Sequence, residues 1–173
     1  MGADEGLTPI SDNLDRVLDV ALDYAMSMLA GGERLQPAAS YESQGEVSRA
    51  FFLGLGNPDP VIEAKEWVAS LPQASYAVIT YPGEVHYKNS STHKAILAEA
   101  WEEGMPEAIV VAQEYQPVPD GDPEQGTPLF EPVGNQLELG HAKALWETGG
   151  EHQGPSEDGA GPADGNEEEP WGR

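Results

Sequence analysis

Cysteine is absent from this 173-residue chain, which excludes a disulfide framework, a thiolate metal site and a cysteine nucleophile. Basic residues are scarce: 8 Lys or Arg stand against 31 Asp or Glu, for a formal charge of −23 and a pI near 4.1. Direct nucleic-acid binding is therefore not expected, because it needs clustered cations to displace phosphate counterions. Long apolar runs are missing too. The longest, residues 50–55 and 108–112, fall far short of the roughly 18–20 residues of a membrane span.

Targeting signals are equally thin. Residues 1–6 are acidic and lack the apolar core of a secretory signal. Gly6 stands where a myristoylation motif wants Ser or Thr. The sequon Asn89-Ser90-Ser91 matters only in a secreted protein and otherwise reads as a polar turn. The expectation is a soluble cytoplasmic protein with no membrane contact.

What is present divides the chain. Residues 149–173 hold seven Gly, three Pro and seven acidic residues against one Arg, with Trp171 the only large apolar side chain. Such a segment cannot bury enough apolar surface to offset its chain entropy. It reads as a disordered acidic tail, with residues 1–9 a flexible start and 10–148 a single folded domain. Residues 10–148 carry 7 Lys or Arg against 22 Asp or Glu, net −15, so the body is acidic in its own right.

Residues 11–30 give the clearest helical pattern. Leu14, Val17, Leu18, Ala21, Leu22, Ala25, Met28 and Leu29 form one apolar stripe. Asp15, Asp19 and Asp23 recur every fourth residue on another face. Ser11 suits the N-cap and Gly31-Gly32 the stop. Stretches 38–43 and 46–53 flank Gln44-Gly45 as a β-hairpin. Residues 60–71 read as a second helix, with Asp59 as cap, Pro60 in the first turn and Pro72 at the end. Tyr76 to Thr80 is a strand core that residues 85–88 continue or pair with across Pro82-Gly83, and 107–115 is another strand. Residues 93–103 have the Ala, Leu and Glu content of a helix but the length of a hairpin arm, and are taken as a strand that completes a meander. Residues 136–146, with Leu137, Ala144 and Leu145, suggest a short C-terminal helix.

The fold class expected is α+β: helix, β-hairpin, helix, antiparallel meander, short helix. That element order resembles roadblock-type or profilin-like small α+β domains. The resemblance is one of order alone, and fold does not set function.

Four motifs invite chemistry. Gly54-Leu-Gly56-Asn-Pro-Asp59 has the place of a dinucleotide fingerprint, but Asp59 replaces the third glycine and would repel a pyrophosphate, while Pro58 and Pro60 remove phosphate-cradling N–H groups. A capped helix entry accounts for it better. Counted as a calcium loop, Asp120, Asp122, Glu124 and Glu131 take positions 1, 3, 5 and 12, yet Gln125 stands where the loop glycine belongs and Pro117, Pro119 and Pro123 oppose flanking helices. They are weak metal candidates in an acidic surface loop. Glu63-Ala-Lys65 superficially matches a nuclease carboxylate–lysine pair but falls on the second helix, where a solvated face suffices. His86 and His93 bracket a turn without a third fixed ligand, and His141 and His152 have no helical His pair. Trp67, Trp101 and Trp146 fit core or core-edge positions; Tyr81, Tyr87 and Tyr115 fit a partly exposed sheet.

No catalytic constellation, cofactor motif or Gly-x-Ser-x-Gly elbow emerges. The leading expectation is a non-catalytic acidic domain that binds a basic protein partner, with Asp15, Asp19, Asp23 and the tail Trp171 as contact candidates. Two alternatives stand beside it. One is a small enzyme or ligand-binding domain with a site between sheet and helix near Tyr81, Glu84 and His86. The other is acidity that serves only solubility in a salty cell interior.

Overall fold

The structure is a computed structural model, described here for residues 9–53, 59–71 and 75–143. Helix α1 (Asp12–Ala30) begins where Ser11 Oγ accepts the Leu14 N–H at 3.1 Å. The same hydroxyl donates to Glu102 Oε1 at 2.5 Å, so a sheet carboxylate anchors the helix start and complements its dipole. The helix ends in a Schellman motif: the Glu33 N–H reaches Met28 O and the Gly32 N–H reaches Leu29 O. Gly32 takes the left-handed φ of +88° that this motif requires. Every predicted stripe residue except Met28 is buried.

Strands β1 (Ala38–Ser43) and β2 (Glu46–Phe51) form the expected hairpin. Gln44 and Gly45 both have positive φ, 55° and 87°, as a tight primed turn demands. Helix α2 (Pro60–Ala69) starts with Asp59 Oδ1 accepting the Val61 N–H at 2.8 Å. Asp59 is therefore a cap; residues 54–58 of the glycine motif lie outside the described residues.

Strands β3 (Tyr76–His86), β4 (Thr92–Glu102), β5 (Glu107–Pro117) and β6 (Phe130–Lys143) complete one six-stranded antiparallel sheet in the order β2-β1-β3-β4-β5-β6. β3 runs straight through Pro82-Gly83 because the last β1 pair is at Thr80. Pro82 thus sits where β3 has no neighbour on that side, so its missing N–H costs little. The 93–103 stretch is a strand, as expected. Its Ala95, Ala98 and Ala100 are fully buried in the middle of the sheet.

One expectation fails. Residues 136–143 are not helical but belong to β6, paired with β5 from Pro117↔Phe130 to Glu107↔Lys143. Helical composition there is overruled by strand pairing, which satisfies the backbone and covers β5. Residues 144–146, including Trp146, lie outside the described residues, as does the segment 149–173 with His152 and Trp171.

The helices take opposite faces of the sheet. The α1 stripe packs on Val78, Ile96, Ala98, Ala100, Ile109 and Val111. Ala64 and Val68 of α2 pack with Ala39, Ala77, Ile79 and Trp101 on the other face. Trp67 meets Tyr41 and Phe52 edge-on, with ring centroids 5.3 and 5.6 Å apart. Burial of both sides explains why the central strands are rich in small and branched apolar residues.

Candidate functional site

On the α1 face, Asp15, Asp19 and Asp23 are all exposed along the helix. Asp19 Oδ1 accepts from Gln136 Nε2 of β6 at 3.0 Å, which ties the acidic row to the edge of the sheet. Beside that tie lies a trough of about 220 Å³, lined by Ile10, Asp15, Leu18, Ile109, Val111, Gln136 and Glu138. Its lining combines four apolar residues with a carboxylate from α1, Asp15, and one from β6, Glu138. Glu138 Oε2 lies 3.8 Å from His141 Nε2, and the Glu138 side chain is only 10% exposed.

The α2 face holds two carboxylates in the sheet that residue pattern had not singled out. Glu99 is 3% exposed. Its Oε2 accepts from Tyr81 Oη at 2.6 Å and pairs with Lys65 Nζ at 2.9 Å, while Oε1 is buried without a hydrogen-bond partner. Burial, then the Glu99 hydrogen bond and charge, pushes the Tyr81 phenol well above its ordinary range, so it stays a donor rather than a base. Lys65 is therefore not merely part of a solvated helix face. Glu114, 7% exposed, accepts from Tyr87 Oη and lies 2.7 Å from His93 Nδ1. The Tyr87 hydrogen bond, followed by His93, holds its carboxyl below the usual range against the opposing effect of burial. Each group has a tyrosine donor on the sheet, but Glu99 Oε1 remains unpaired. A signal for them exists in the sequence: Glu99 interrupts the same-face series Leu97 and Trp101.

The Tyr81, Glu84 and His86 grouping does not converge. Alternation along β3 sends Tyr81 to the α2 face and Glu84 and His86 to the α1 face. Glu84 and His86 instead line an open hollow of about 420 Å³ at the β3–β4 hairpin end, with Pro82, Gly83, Lys94 and Tyr115. His86 bonds Thr92 Oγ1 at 3.1 Å across the ladder, whereas His93 turns to Glu114 on the other side, so the two histidines do not share a site.

In the acidic loop, Asp122 Oδ1 accepts the Glu124 N–H and caps a 3₁₀ turn over Pro123–Gln125. Glu131 accepts from Gln116 Nε2 at 2.9 Å. Among the described residues no three His, Asp or Glu side chains are grouped to hold a metal ion. Among them, too, no helix is long and apolar enough to cross a membrane.

The chain matches no family model, no curated protein and no solved structure.

Proposed function

We propose that this chain is a non-catalytic protein-binding domain that engages a basic protein partner through the α1 face. The observation that carries this reading is the exposed row Asp15, Asp19 and Asp23, the first of which lines a trough together with Glu138 of β6. Stacked like charges cost a helix a few tenths of a kcal/mol per pair, and the apolar stripe beneath offsets that cost. A dense negative face speeds encounter with a cationic partner and suppresses anionic ones. The α+β fold class names no chemistry, so the surface carries the reading.

Affinity capture on the immobilised chain at low ionic strength tests it. Captured proteins should be basic, should elute as salt rises, and should be lost with Asp15→Asn/Asp19→Asn/Asp23→Asn. Capture of proteins no more basic than the starting mixture, or equal capture by the triple variant, contradicts the reading.

A ligand-binding role is the second reading, and the hollow at the hairpin end favours it, since Glu84, His86, Lys94 and Tyr115 present both charges and an aromatic surface there. A thermal-shift screen of small metabolites separates the two, because a saturating ligand raises the melting temperature and Lys94→Ala would remove that rise.

A further inference from the structure

We infer that the trough between α1 and β6 receives an arginine side chain from an extended basic segment of the protein partner. This rests on the basic-partner reading and names what that partner inserts. The lining is amphipathic in the same sense as arginine: Ile10, Leu18, Ile109 and Val111 offer apolar surface, while Asp15 of α1 and Glu138 of β6 add carboxylates from two different elements. An arginine lays its aliphatic stem on apolar surface and spreads five donors from a planar head. Two separated carboxylates suit that fork better than the point charge of lysine.

The trough is built before any partner arrives. The Gln136 to Asp19 hydrogen bond joins β6 to α1, and the lining residues Ile109 and Val111 belong to the packed core. Glu138 is mostly withdrawn from water, where an opposite charge gains more than on an open surface. The imidazole of His141 lies against that carboxylate at 3.8 Å. Among the described residues β6 ends the sheet, so its outer edge offers main-chain groups to an extended segment beside the trough. The net charge of −15 on residues 10–148 favours a cationic segment over any other.

The test uses the full chain and two labelled peptides, alternating Arg-Ser and alternating Lys-Ser, with binding followed by fluorescence anisotropy at low ionic strength. The Arg peptide should bind more tightly than the Lys peptide. Gln136→Trp fills the trough without changing charge and should weaken Arg-peptide binding by about tenfold or more. Asp15→Asn/Glu138→Gln should do the same. Glu46→Gln/Glu66→Gln, an equal charge change at exposed sites away from the trough, should have little effect. If Gln136→Trp unfolds, the comparison of the two charge pairs decides alone. Equal weakening by both pairs, undiminished binding to folded Gln136→Trp, or equal affinity for the two peptides overturns the trough while leaving the basic-partner reading intact. No binding of either peptide by the unaltered chain overturns both.

Discussion

A carboxylate that is 3% exposed must be held by its neighbours or lose its charge. Glu99 has Tyr81 and Lys65 on Oε2 and no hydrogen bond on Oε1. Tyr81→Phe should therefore destabilise the fold by about 1–3 kcal/mol in urea unfolding. Replacing the whole knot with Tyr81→Phe/Lys65→Met/Glu99→Leu should recover much of that loss, since apolar groups fill such sites well. The Tyr81 phenol is raised, so its contribution is fully present below the ordinary tyrosine value of about 10 and fades as pH rises through the folded value. Glu114 has the opposite sign. Its carboxyl is lowered, so its contribution is present above the ordinary glutamate value of about 4.3 and is lost as pH falls through the folded one. The stability gap between the protein and Tyr87→Phe should then be widest at neutral pH and narrow in acid; a gap constant down to acid pH would contradict the assignment. Glu99 was visible in the sequence as a charge in an apolar alternation. Its partner Lys65 was not, because only the packing of α2 on the sheet brings the two together.

At the level of elements, local pattern carried the first helix, the hairpin and the second helix. Each is specified by its own stripe, cap or turn. Gln44 is poorly suited to its place, since it takes a φ of 55° in the primed turn, where Asn is preferred. Gln44→Asn should raise stability by about 0.5 kcal/mol, read as a rise of about 1–2 °C in melting temperature. Gln44→Val should lower it. The last strand was misread for a definable reason. β6 skips Leu139 opposite Val110 and Val111, and residues 134–136 opposite Ala112 to Glu114; with the positive φ of Gly134 and Gly140, this breaks the two-residue alternation that marks a strand. A helix at 136–146 does not bring Glu138 to the same trough as Asp15; only the β6 pairing with β5 does. The ladder itself was legible, because Asp15, Asp19 and Asp23 share one face of the helix wherever the helix docks.

Over the whole molecule, charge is the dominant property, at −15 for residues 10–148 out of −23 in total. Self-repulsion of that size opposes the compact state and is screened by salt. Moderate NaCl should raise the melting temperature by about a few degrees, with the gain levelling off once the Debye length is short. If the acidity serves only a salty interior, stability should instead go on rising up to molar salt. Whether the acidic α1 face binds a cationic partner is decided by the affinity of the full chain for an arginine-rich peptide as a function of salt. The dissociation constant should rise steeply with ionic strength, and at every salt concentration it should be larger for Asp15→Asn/Asp19→Asn/Asp23→Asn. An affinity independent of salt, or unchanged in that variant, would contradict binding through that face.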